Sequence, residues 1–228
     1  MYLWKCWRET RLFCIVFLGI AAAVMPFAAA MTLRTHLLEE FGRPAFGFTF
    51  SSILMGTSLW LGAIGALHGF DDRTVQFLFT KPRSRAYFVW IGWAVGFVEL
   101  LVIGLVNLFA GWLTLSRYTS HALISDVFGS SAIQDYADIF ILSLFAYSLT
   151  YAFTAVLRNG VNGLGASLGS MGVYDLLVFA VRLRWNIHVP YPFERMGNLP
   201  PGISNLLWTG VGLCFVLAAQ LVVERAEV

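Results

Sequence analysis

The sequence predicts an all-α integral membrane protein with six transmembrane helices in a single domain, residues 1–228. Three observations predict it. Of the 228 residues, 58% are hydrophobic and only 12% are charged, about half the charge of a soluble domain. Mean hydropathy is +0.73. Twenty Phe, eight Trp and eight Tyr leave too little polar surface for a water-soluble fold, and the same composition excludes disorder. Six apolar runs are separated by charged or Pro/Gly-containing breaks, and at about 20 residues per span the length holds roughly six.

The runs are Leu12–Leu33, Phe46–Leu67, Ala86–Leu115, Asp138–Leu157, Gly160–Val181 and Ile203–Val223. A backbone in hydrocarbon must satisfy its own hydrogen bonds, which a helix does within one segment. The alternation required of a membrane β-barrel is missing from these runs. Residues 1–11, with Trp4, Lys5, Trp7, Arg8 and Arg11, mix aromatic and basic side chains and predict an interfacial elbow helix before the first span. That first run exceeds the apolar core of a signal peptide, so it is expected to be retained.

Orientation follows from the positive-inside rule. With the N-terminus inside, nine basic residues (Lys5, Arg8, Arg11, Arg73, Lys81, Arg83, Arg85, Arg158, Arg225) fall inside and six (Arg34, Arg43, Arg117, Arg182, Arg184, Arg195) outside. Both termini are therefore expected in the cytoplasm, with the protein in the plasma membrane. A net charge of +2 gives no footprint for nucleic acid. Cys6, Cys14 and Cys214 show neither disulfide nor zinc spacing.

The break between the second and third spans, residues 69–85, carries the most information. Asp71 or Asp72 is suited to cap a helix start, since a carboxylate accepts the free N–H groups of a first turn. From Arg73 through Thr74, Val75, Phe77, Leu78 and Phe79 to Thr80 the pattern is amphipathic, and Pro82 disfavours helix at Lys81. The residues alone leave two readings open: a short helix across the cytoplasmic mouth, or a polybasic loop on anionic lipid heads.

This loop, ending Pro82-Arg-Ser-Arg85, with the elbow and the six-span layout, resembles the permease subunits of type-2 ATP-binding-cassette exporters. The resemblance implies that Asp71, Asp72, Arg73, Thr74, Phe77, Leu78, Phe79, Pro82 and Arg85 form a coupling helix docking on an ATPase subunit. Asp71-Asp72-Arg73 stands where the family pattern has an acidic residue followed after a gap by Gly-Thr. The resemblance also implies that residues 182–202, rich in aromatics and proline, form a short re-entrant segment outside the membrane before the last span.

No phosphate-binding loop is present, since neither Lys5 nor Lys81 follows a glycine. Transport by this reading makes the chain no enzyme and binder of no cofactor. ATP and Mg belong to a partner ATPase, and the pathway needs a second permease copy or paralogue, with lipids around it. Gly165-Ala-Ser-Leu-Gly169 matches a nucleophile elbow, but His36, His68, His121 and His188 all fall in breaks or at span ends. Gly160, Gly163, Gly165, Gly169 and Gly172, like Gly92 and Gly96, instead predict close helix contact. Asp135 and Asp138 read as a hydrated start of the fourth span.

Two acids fall at depth within spans, Glu99, with Asn107 two turns later, and Asp175. A carboxylate at the bilayer centre costs about 2.5–3.5 kcal/mol on insertion scales. Each is thus expected on a pathway wall, or in an interhelical hydrogen bond that fixes the bundle. Use of these acids by an ion-gradient-driven secondary transporter is the alternative to ATP-driven export.

Overall fold

The computed structural model describes residues 2–34, 38–67, 85–118, 124, 127–185 and 200–225. Among these residues lie six long helices: α1 (Tyr2–Arg34), α2 (Leu38–Leu67), α3 (Arg85–Tyr118), α4 (Ser130–Leu157), α5 (Gly160–Trp185) and α6 (Pro201–Arg225). Five of them, α2 to α6, are long and apolar enough to cross a membrane. In α1 the described apolar stretch is Thr10–Val24.

α4 is the inner helix. Every residue from Ser143 to Ala152 is buried, which only a helix contacted on all sides achieves. It packs against α2, α3, α5 and α6, while α1 lies on α2 and α3. Helix directions follow from these contacts. Gly92, Gly96 and Gly104 of α3 meet Tyr151, Tyr147 and Phe140 of α4 in turn, so the two run antiparallel. Phe50 of α2 stacks edge-on against Tyr136 at 5.1 Å, and Gly62 lies against Tyr147 and Thr150, so α2 and α4 run parallel. Asn205 and Trp208 of α6 likewise meet Asp138 and Phe145. Leu67, Arg85, Leu157, Gly160 and Arg225 therefore share one end of the bundle.

Two residues turn α4 into α5. Arg158 takes the left-handed conformation at φ 52°, and the Asn159 side chain accepts the Asn162 backbone N–H at 3.1 Å, capping the new helix. At α6 the Pro200 carbonyl accepts the N–H groups of Ile203 and Ser204 at 3.0 and 3.1 Å. Pro201 fills the first helical position, where its missing N–H is no loss.

Four expectations need correction. The elbow is not a separate helix, because α1 runs without interruption from Tyr2. α4 starts at Ser130, two turns before the run that began at Asp138. Asp138 is no hydrated helix start: its carboxylate accepts the Asn205 side-chain amide at 2.8 Å, which satisfies it inside the bundle. The glycine face of α5 is also only partly used. Gly163 closes on Thr154, but Gly165, Gly169 and Gly172 face open space, with nothing within 4 Å of an added Cβ. α5 is correspondingly the most open of the five long helices, with Leu176, Phe179 and Leu183 exposed. The docking residues Asp71, Asp72, Arg73, Thr74, Phe77, Leu78, Phe79 and Pro82 lie outside the described residues, and Arg85 opens α3. Residues 186–199 of the re-entrant segment also lie outside them, while 182–185 end α5, Pro200 precedes α6 and 201–202 open it.

Candidate functional site

On α1, Trp7, Arg11, Cys14, Ile15 and Leu18 recur every three or four residues and so share one face. On α3 the same spacing places Ile91, Ala94, Val95, Val98, Glu99 and Val102 together. The two faces enclose a cavity of about 430 Å³. Small side chains at Ala94 and Cys14 leave the room, and Trp7 and Val98 stand exposed at its margin. The lining is apolar except for Glu99 and the ends of Arg11 and Cys14.

Glu99 is 4% exposed. Its Oε1 accepts the Thr10 hydroxyl at 2.5 Å, a bond across 89 positions that ties α1 to α3. The Trp7 carbonyl is a competing acceptor for that hydroxyl, but at 3.5 Å. With one proton to give, Thr10 gives it to the nearer oxygen. The second oxygen, Oε2, is buried and has no hydrogen-bond partner. An acid held in a low-dielectric interior with half its acceptor capacity unmet is costly unless something else supplies a donor.

Eight residues along α3, about 12 Å by helical rise, Asn107 is fully buried, and neither Oδ1 nor Nδ2 has a partner. α3 thus carries two residues with orphaned polar atoms at depth, and in a folded protein such atoms call for an explanation beyond packing. Asp175, on α5, is half-buried with Oδ1 also unpartnered. It lies on a different helix from Glu99 and Asn107, and the structure brings it to neither cavity.

A second cavity of about 200 Å³ sits between α4, α5 and α6. Phe145, Phe153, Tyr174, Trp208 and Phe215 make its walls aromatic, and the Trp208 indole Nε1 is buried without an acceptor. The sequence reading missed this cage, since aromatics in membrane helices are ordinarily packing. A tryptophan inside the last span and not at its edge, where headgroups suit its N–H, was the available signal.

Ser167, at the centre of the elbow-like Gly-x-Ser-x-Gly run, is fully buried. It accepts the Thr150 hydroxyl at 2.9 Å and donates to the Leu164 carbonyl at 2.9 Å, so its oxygen joins α4 to α5. All four histidines lie outside the described residues. Among the described residues no three His, Cys, Asp or Glu side chains gather as metal ligands do. Comparison with protein-family models, with curated proteins and with solved structures returns no match.

Proposed function

We propose that this chain is the membrane-spanning subunit of an ATP-driven exporter of the type-2 ATP-binding-cassette kind, supplying half of the pathway. A separate ATPase chain binds ATP and Mg, a second permease copy or paralogue completes the pathway, and the termini face the cytoplasm of the cell membrane. The observation that carries this reading is the position of the acidic, aromatic and basic segment 69–85. It joins the end of α2 to the start of α3, two helices that pack on each other and on α4, and α3 carries Glu99 and Asn107. A displacement of that segment by a nucleotide-driven partner acts on the ends of two helices at once and reaches both orphaned groups. The α1–α3 cavity is then a place where the two states differ in what they contact, which any such coupling requires.

The test is purification of the tagged chain from its native membrane. A soluble subunit carrying a phosphate loop, present in stoichiometric amount and active as an ATPase, is the expected companion. Full transport by the chain alone in proteoliposomes overturns the proposal. The unpartnered Oε2 of Glu99 favours a second reading, an ion-gradient-driven transporter. That reading requires flux in the same proteoliposomes to follow a proton or sodium gradient and to vanish in Glu99→Gln.

A further inference from the structure

We propose that the cavity between α1 and α3 binds a lipophilic ammonium, an amphiphile with one cationic N–H head and an apolar tail. Three features of the site carry this. The first is Glu99, nine-tenths and more buried, which lines the cavity and whose covered Oε2 meets no donor. The second is the shape and chemistry of the rest. About 430 Å³ is walled by Ile91, Val95, Val98, Val102, Ile15 and Leu18, which complement a hydrocarbon chain and nothing more polar. The third is charge. Among the described residues no cation bonds to Glu99: its one partner is the neutral Thr10 hydroxyl. Arg11, which lines the rim, is exposed and makes no ion pair with Glu99. A ligand cation therefore meets a carboxylate that lacks a counter-charge in a medium of low dielectric, where the attraction is strongest.

Thr10 contributes by holding Oε1. That fixes the carboxylate's rotation, and a cationic head reaches Oε2 by parting the side chains packed over it. The exposure of Ile15 and Val98 places the mouth on the outer face of the bundle, so the ligand arrives sideways from the acyl chains and not from water. The Thr10–Glu99 pair spans two helices, so occupancy also ties the ligand to the relative position of α1 and α3. This binding is a property of the isolated chain and needs no ATPase, so it stands or falls separately from the exporter reading.

The experiment measures binding of radiolabelled dodecylamine to the full chain in nanodiscs, with competition by unlabelled dodecylamine or by dodecanol, its neutral counterpart. The expected result is that the amine competes at least about tenfold better than the alcohol, the ratio for one charge-assisted contact. In Glu99→Gln that preference should disappear, and in Ala94→Phe, which fills the cavity, both ligands should be lost. Equal competition by amine and alcohol in the unaltered protein overturns the proposal, as does an amine preference that survives in either variant. Should either variant fail to fold, a cysteine introduced as Val98→Cys in a background lacking Cys6, Cys14 and Cys214 reports the location. Dodecylamine should slow its alkylation several-fold more than dodecanol does. Equal rates with the two ligands exclude this cavity.

Discussion

Tyr147 of α4 lies directly over Gly96 of α3, and its hydroxyl donates to the Trp93 carbonyl at 2.8 Å. One turn away the arrangement repeats: Tyr151 lies over Gly92 and donates to the Val89 carbonyl at 2.8 Å. In each pair the accepting carbonyl is three residues before the glycine, and the four-residue period of both helices makes the two pairs equivalent. Trp93 completes the seam by donating to the Ser148 hydroxyl at 3.0 Å. A fully buried phenol is thus satisfied by backbone, and glycine is what lets it reach. Tyr147→Phe and Tyr151→Phe should each cost about 0.6 kcal/mol and no more than about 1.7, the average and maximum for interhelical bonds in a membrane bundle, read by unfolding in mixed micelles.

The glycines themselves should separate into two groups. At Gly62 a Cβ would stand 2.8 Å from Thr150 Cβ and 2.9 Å from the Tyr147 carbonyl oxygen, and at Gly163 it would stand 2.6 Å from Thr154 Cα. Backbone on a packed inner helix has no room to give. Gly62→Ala and Gly163→Ala should each destabilise by about 1–3 kcal/mol, as overpacking does. Gly165→Ala and Gly169→Ala meet nothing and should be neutral or stabilise by up to about 1 kcal/mol through helix propensity. Thermal unfolding of the four variants in one detergent checks the division, and equal losses at all four sites would contradict it.

Removing the donor from Glu99 is a different kind of change. Thr10→Val preserves shape but leaves a buried acid with neither oxygen bonded, which should cost about 1–3 kcal/mol. Thr10→Val combined with Glu99→Leu removes both polar partners and should be more stable than Thr10→Val alone, because the stranded group is gone. A double-mutant cycle gives the coupling directly, and additive losses would mean that the 2.5 Å bond does not link α1 to α3 in the membrane.

Helix number and most breaks were legible because each run is long, apolar and ended by charge or proline. The start of α4 was not. Asp135 and Asp138 look like a polar boundary until Asn205, 67 positions later, supplies the donor, and no local pattern announces that partner. Glu99 was legible as an acid at depth, but Thr10 was not, since it falls in a segment whose aromatic and basic mixture reads as interfacial. The glycines show the same limit. Gly92-x-x-x-Gly96 and Tyr147-x-x-x-Tyr151 are both visible as four-residue repeats, yet their pairing appears only in the fold. Gly165 and Gly169 carry the same signature and pair with nothing among the described residues.

Sidedness is the next expected outcome. The shared end of Leu67, Arg85 and Arg225 puts segment 68–84 and the C-terminus together, and the basic-residue bias assigns that end to the cytoplasm. Ser84→Cys, in a background without native cysteines, should react with an impermeant maleimide only when the cytoplasmic face is open. Ser120→Cys should react only from the outside. Labelling of both from one face would contradict the alternating helix directions, and a reversed pattern would invert the orientation.

Coupling supplies the last prediction. If segment 69–85 docks on an ATPase, its apolar members are the side chains that a groove on that partner can bury. Interface anchors of this type each cost more than about 1 kcal/mol when truncated, so the double variant Phe77→Ala/Phe79→Ala should lose about tenfold or more in substrate-stimulated ATP hydrolysis. Neither residue belongs to an apolar span, so insertion and the thermal stability of the bundle should stay as they are. Separating these readouts matters, because a loop that only binds anionic lipid would move neither. Unchanged coupling in a stably inserted double variant would remove the ATPase from the reading and leave Glu99 of α3 and the half-buried Asp175 of α5 as the remaining drive for transport.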